Sequence, residues 1–218
     1  MIRMLTLVIG NKTYSSWSLR PWLALKHTGA PFQEIRIPLY QPASKAEIMK
    51  YSPSGKIPLL VDGGLRVWDS LAICEYLHEH FPAARLWPHD HAMRAEARSV
   101  SAEMHSGFTN IRNDLSMNLR RKPARPVIRR ETHAEIERVL EIWTTHRMRY
   151  GGAGPFLFGA FSIADAMYAP VVTRFVSYDI HVTGPARAYM DTVLALPAMR
   201  EWTAAALAET ETIPGADK

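Results

Sequence analysis

The feature that most constrains the fold of this chain is a change of hydrophobic period just before Pro82. Upstream, short apolar runs of strand length alternate with segments of helical spacing; downstream, only helical spacing is found. Residues 4–9 carry Leu5, Leu7, Val8 and Ile9, a run suited to a buried strand. Residues 17–27 place Leu19, Trp22, Leu23 and Leu25 at helical spacing, and residues 32–39 alternate through Phe32, Ile35, Ile37 and Leu39. A short helix over 44–50 follows. Residues 57–61 and 65–68 then flank Asp62-Gly63-Gly64, the turn chemistry of a hairpin. Asp69 opens a helix through Leu71, Ile73, Cys74, Tyr76 and Leu77 that must stop before Pro82.

The order βαβαββα, with a parallel start and a hairpin finish, is that of a thioredoxin-like α/β domain, expected over residues 1–81. A proline-bounded stretch at 82–89 suits an interdomain linker. Residues 90–218 read as an all-α helical bundle domain. One long helix is expected over 90–119, another over 132–150, a very apolar third over 162–178, and shorter ones near 185–194 and 197–209.

With 218 residues, 47% of them hydrophobic, the chain has enough apolar sequence to bury a core in each half. The charged fraction of 22% and the lack of low-complexity segments exclude a largely disordered chain. No window approaches the roughly 20 apolar residues of a membrane span, and the first ten residues do not read as a targeting signal. A single cysteine, Cys74, excludes an internal disulfide and disfavours a CxxC redox centre. His78 and His80 lie two apart on one expected helix and so face different ways; no metal is expected. A cytoplasmic protein without a membrane partner is the economical expectation. A proline-interleaved basic run, Arg120, Arg121, Lys122, Arg125, Arg129 and Arg130, is either a solvated face or an anion-binding rim. No aromatic-plus-basic recognition motif accompanies it, so no nucleic-acid partner is expected.

Four short motifs carry the chemistry. Tyr14-Ser15-Ser16-Trp17-Ser18-Leu19-Arg20-Pro21-Trp22 follows the first strand. Proline belongs in the first turn of a helix, which puts the helix start near Trp17 or Ser18 and leaves Ser15 and Ser16 in the loop before it. Hydroxyls there face free N–H groups and partial positive charge, a setting that favours an anion such as a thiolate. The same serines also read as ordinary caps. Ser54-Gly55-Lys56-Ile57-Pro58-Leu59-Leu60 puts a proline at the mouth of an apolar strand, as an edge, a bulge or a cis bond. In the cis form Ile57 presents its backbone to an extended peptide. In Trp68-Asp69-Ser70-Leu71-Ala72-Ile73, Asp69 and Ser70 are either plain caps or the grip for a ligand's charged ends. In Phe158-Gly159-Ala160-Phe161-Ser162-Ile163-Ala164-Asp165-Ala166, Ser162 and Asp165 form a structural capping box ahead of a buried helix.

Together and in this order, these motifs resemble the cytosolic glutathione S-transferase superfamily over nearly the whole chain, in the manner of serine-type bacterial members of zeta- and theta-like classes. The resemblance implies glutathione, as substrate or cofactor, held by Lys56, Ile57, Pro58, Asp69 and Ser70. Pro58 would be cis, Ile57 would pair with the cysteine of the tripeptide, Asp69 and Ser70 would grip its γ-glutamyl end, and Lys56 would lie near its glycine carboxylate. Ser15 aligns with the thiolate-activating serine against the zeta pattern, Ser16 against the theta pattern. Trp17 stands where zeta and beta relatives carry cysteine, which argues against a mixed-disulfide mechanism.

The implied reaction is attack by the thiolate on a small, hydrophobic electrophile between the two domains. Trp17, His105, Phe108 and Arg112 are candidates for that site, the last three sharing a helical face with Met104, Ile111 and Leu115; the alternative is that these residues serve the core or a dimer contact. Arg112 or the Arg120-Arg121 pair would select acidic substrates. Other functions compatible with the fold are a glutathione-dependent isomerase or dehalogenase, and a non-catalytic glutathione-binding or regulatory protein. A homodimer in detoxification is the family expectation.

Overall fold

Leu5–Ile9 (β1) is the strand around which the first half assembles. In the computed structural model, which describes residues 4–213, its Leu7, Val8 and Ile9 are fully buried, as an unbroken apolar run requires of a strand covered on both faces. β1 pairs in parallel with Phe32–Arg36 (β2) and antiparallel with Leu59–Asp62 (β3). Leu65–Val67 (β4) follows the Gly63-Gly64 turn and completes the order β2-β1-β3-β4. The parallel link from β1 to β2 needs a crossover, supplied by Ser16–Thr28 (α1). Ser44–Tyr51 (α2) joins β2 to β3, and Ser70–His80 (α3) follows β4. The expected βαβαββα order is found.

Alternation along β1 divides the packing. Leu5, Leu7 and Ile9 join Leu19, Trp22 and Leu23 of α1 and Ile73, Cys74 and Leu77 of α3 in the main core. Val8 joins Ile37, Leu59 and Ile48 of α2 in a smaller one on the other face.

The second half is helical: His91–Ser106 (α4), Thr109–Asp114 (α5), Arg130–Tyr150 (α6), Ile163–Ser177 (α7), Gly184–Ala195 (α8) and Pro197–Leu207 (α9). α7 is the central helix, with only Val176 of its residues outside the buried set. Its capping box forms: the Asp165 carboxylate accepts from Ser162 N (2.8 Å), Ser162 Oγ (3.0 Å) and Leu157 N (3.1 Å). Burial pushes Asp165 up to about 6, against the pull of those hydrogen bonds. The main core runs without a break from the sheet into this half. Between α3 and α4, Pro82–Ala84 forms a 3-10 turn, and Leu86 and Trp87 are buried in the shared core.

Two expectations are corrected. α1 starts at Ser16, not near Trp17 or Ser18. Ser15 is its N-cap, accepting from Ser18 N at 3.3 Å, so Pro21 lies inside the helix beyond the first turn. Its missing N–H forfeits one bond, to the Trp17 carbonyl. The expected helix over 90–119 is two helices. Gly107 is extended and Phe108 left-handed (φ 57°). A Cβ on Gly107 would lie 2.9 Å from the Glu103 carbonyl, so the chain turns closer to α4 than another residue allows. Arg112 then reaches back to the carbonyls of Met104, His105 (3.4 Å) and Gly107 (3.1 Å), satisfying the free end of α4.

Asp165→Ala would strand the Leu157 and Ser162 N–H groups in the core. The expected loss is about 2–4 kcal/mol, read as a lower urea midpoint at unchanged slope.

Candidate active site

The loop between β1 and α1 turns on Asn11, whose carbonyl accepts from Tyr14 N (3.3 Å) and Ser15 N (2.8 Å) while its side chain accepts from Leu39 N (2.7 Å). This delivers Ser15 to the N-cap of α1. Its Oγ lies 2.8 Å from Ser18 Oγ, which also accepts from Gly10 N at 3.1 Å. Ser15 donates that hydrogen bond, so Ser18 Oγ accepts from both, and the Ser15 hydroxyl has to turn from Ser18 to donate to an outside acceptor. Ser16 Oγ accepts from Arg174 Nη2 at 3.2 Å, and Arg174 Nη1 is anchored on the Leu115 carbonyl. Both serines are buried.

Around them stand three cations. The Arg20 guanidinium lies 4.4 Å from the centre of the Trp17 ring and that of Arg112 4.6 Å, with the His105 ring edge-on at 5.4 Å. Arg20 is fully buried, and its Nε and Nη1 have no hydrogen-bond partner among the described residues. Burial, then Arg112 and Arg174, pull it down to about 9. Burial, then Arg112, pull Arg174 down to about 10. Burial lowers Arg112, with Glu135 opposing. Arg20 and Arg174 stay well above neutral pH and so remain charged there. Beneath them, the Cys74 thiol is pushed up by burial and is inert.

The facing wall comes from β3 and α3. The Ile57–Pro58 bond is cis. The pairing of Val8 with Leu59 sets Ile57 and Pro58 beyond the end of the ladder, at the same end of the inner strands as the serine loop. Lys56 is exposed beside them. Asp69 caps α3, with Oδ1 accepting from Leu71 N (2.9 Å) and Ala72 N (3.2 Å). Its Oδ2 lies 2.9 Å from His105 Nε2 of α4. Ser70 is buried and its Oγ has no partner among the described residues. Burial lowers His105 below its usual value; Asp69 opposes this, and Arg20 and Arg112 add to it.

The structure thus gathers Ser15, Ser16, Trp17, Asp69, Ser70, His105 and Arg112 around the start of α1. It does not bring Phe108 there: the left-handed break turns that ring into the core, with Met104, Ile111 and Leu115. Ser162 and Asp165 lie apart, at the start of α7. The basic run is dispersed. Arg120 is engaged by Tyr14 and by the carbonyls of Glu209 and Glu211, Arg125 by Asp179, Arg129 by Asp114. Ser18, Arg20 and Arg174 complete this group, and the sequence motifs do not point to them. Arg174 had a signal, as the one cation in an otherwise apolar helix. Among the described residues no cluster of His, Cys, Asp and Glu could hold a metal ion, and no helix is long and apolar enough to cross a membrane.

Residues 14–80 match the family described as glutathione S-transferase, N-terminal domain, and residues 126–205 that described as glutathione S-transferase, C-terminal domain. The chain belongs to the glutathione S-transferase superfamily. It is similar to maleylacetoacetate isomerase of Rattus norvegicus, 35% identical over 101 residues, which are 45% of this chain and 46% of that protein. Glutathione S-transferase 1 of Dianthus caryophyllus is 38% identical over 105 residues, 48% of each chain. The chain spans about half the length of the curated relatives it matches. A solved glutathione transferase homolog from Burkholderia, with bound glutathione, has a TM-score of 0.71 over 93% of this chain and 97% of that one, at 22% identity. This last likeness shows the fold.

Because Asp69 holds the His105 proton on and burial drives it off, Asp69→Asn should move the His105 midpoint further down. His105 then stays neutral at pH 7 in both forms. Imidazole shifts followed by NMR against pH check this; an unmoved midpoint would mean the pair does not form.

Proposed function

We propose that this protein is a serine-type glutathione transferase that holds the thiol of glutathione as a thiolate and directs it at a small electrophile. The observation that carries this reading is the pair of serines at the N-terminus of α1, beneath buried arginines and opposite the cis bond at Pro58. The residues fit the tripeptide. Ser70 Oγ is a buried hydroxyl without a partner among the described residues, and Ile57 lies past the last rung of the ladder. Ile57 would pair with the cysteine residue of glutathione in extended form, Ser70 and the first N–H groups of α3 would take the γ-glutamyl carboxylate, Asp69 the ammonium, and Lys56 the glycine carboxylate.

Ser15 turns its hydroxyl proton from Ser18 Oγ to the sulfur, exchanging one acceptor for another. The N-terminus of α1 and the charges of Arg20 and Arg174 favour the anion. Against a free thiol near ~8.5, such a set lowers the pKa by roughly one to two units, each worth about 1.4 kcal/mol. Bound glutathione supplies the nucleophile: its proton passes to solvent, a sulfur–carbon bond forms, and the leaving group departs with its electron pair. Trp17 and Arg112 form the wall on which the electrophile rests.

A second reading is a glutathione-dependent isomerase, in which the thiolate adds and is later expelled, so that no thiol is consumed. Arg112 and the Arg20 N–H groups that have no partner among the described residues favour it, because they suit a substrate that bears a carboxylate. The name of the Rattus relative points the same way. A cytoplasmic homodimer is the assembly we infer, with exposed Leu65 and Trp68 along β4 as apolar surface for a partner to cover.

The test is an ultraviolet thiolate titration of bound glutathione in the wild type, Ser15→Ala and Ser16→Ala. We expect a thiol lowered by a unit or more in the wild type and restored by Ser15→Ala with binding retained. Restoration by Ser16→Ala alone would move the role one residue on. Binding with an unshifted thiol would leave a binding protein, and no binding would overturn the roles of Ile57, Asp69 and Ser70. Counting free thiol during turnover separates transferase from isomerase.

A further inference from the structure

The loop that presents Ser15 is held from the far end of the chain. Lys12 N and Thr13 N are consecutive backbone donors that turn away from the sheet, and such groups need an acceptor when buried. Both find it in one side chain: Glu209 Oε1 accepts from Lys12 N at 2.7 Å and Oε2 from Thr13 N at 2.9 Å, across 197 and 196 residues of sequence. The Glu209 side chain is only 5% exposed, and Arg36 lies 3.5 Å from it. The surrounding contacts fix the carboxylate in place. Trp202 Nε1 of α9 donates to the Lys12 carbonyl (3.0 Å), Thr13 Oγ1 to the Ala206 carbonyl (2.8 Å), and Leu119 N to the Thr13 carbonyl (3.2 Å). Arg120 ties the carbonyls of Glu209 and Glu211, each at 2.5 Å, to the Tyr14 hydroxyl at 2.7 Å.

We infer that Glu209 is a positioning residue for the thiolate-activating serine. The inference rests on the function proposed above. Two residues past Thr13, Ser15 hangs its own N–H on the Asn11 carbonyl, so the turn from 11 to 15 has an internal hinge and several external ties, of which Glu209 takes two successive backbone N–H groups. A bidentate carboxylate sets the orientation of two successive peptide planes. Without it those planes seek water, and the Ser15 hydroxyl loses the fixed direction that a hydrogen bond to sulfur requires. The residues assigned to the tripeptide's main chain and γ-glutamyl end lie on the facing wall and are untouched by this clamp.

The test compares Glu209→Gln and Glu209→Asp with the wild-type full chain, and with Glu211→Gln as a control whose side chain meets Arg36 and not the loop. Folding is verified by melting and circular dichroism, and bound glutathione is titrated in the ultraviolet. We expect Glu209→Gln to fold and to bind glutathione within about threefold of the wild type, but to raise the bound thiol by half a unit or more, a threefold or greater loss of thiolate. Turnover should fall at pH 6.5 and recover at high pH, where the thiol ionises unaided. Glu209→Asp should regain part of the shift and Glu211→Gln should match the wild type. A variant that melts earlier but titrates like the wild type would overturn the inference and leave Glu209 a structural tie. A wild type with an unshifted bound thiol would overturn the functional reading and this inference together. If Glu209→Gln does not fold, the titration of Glu209→Asp decides alone, by whether its thiol lies above the wild-type value.

Discussion

The packing of α1 is the interaction on which the rest of the molecule depends. Leu19, Trp22, Leu23 and Leu25 are buried in the core that β1, α3 and α7 share, and Trp22 meets Trp202 of α9 edge to face. Because α1 belongs to both halves at once, its N-terminus cannot shift relative to either. That N-terminus carries the two serines and is tied to the central helix through Arg174, and the loop before it is tied to the last helix through Thr13 and Lys12. The main core is one body, so displacing α7 would move Arg174 and, with it, the partner of Ser16.

Electrostatics acts on that frame in the opposite sense. A buried guanidinium with free N–H groups destabilises a fold unless something compensates it. Arg20 lies beside two further arginines, and the carboxylate that opposes them, Asp69, is already engaged by His105 and by the α3 amides. Three arginines gather there against two acids, Asp69 beside Arg20 and Glu135 beside Arg112. In stability terms this is a cost; in binding terms it is a preference for anions, set before any ligand arrives.

Much of this was legible in the residues, and the exceptions have physical causes. The element order up to Pro82 followed from period and turn chemistry, since each strand run was bounded by Gly, Pro or Asp. The capping box at Ser162 was readable because its two members lie three apart. The start of α1 was misjudged by giving Pro21 more weight than the Ser15 cap, although a cap gains a bond while an internal proline here forfeits only one. The break at Gly107-Phe108 was hidden because Met104, Phe108, Ile111 and Leu115 keep helical spacing across it; the spacing reports burial, and all four are buried on either side of the break. Glu209 could not be found from spacing at all. Its partners are backbone N–H groups near the other end of the chain, and backbone donors leave no mark in a sequence.

Cys74 has a meaning for the chemistry that happens above it. A protein that makes a reactive sulfur on its ligand, and gathers electrophiles next to it, exposes its own nucleophiles to the same reagents. Here the sole thiol is sealed under Arg20, with no surface and with its ionisation suppressed by burial. With the proposed function, this thiol would be shielded from alkylation by the compounds the protein turned over, and from disulfide exchange with the tripeptide it bound.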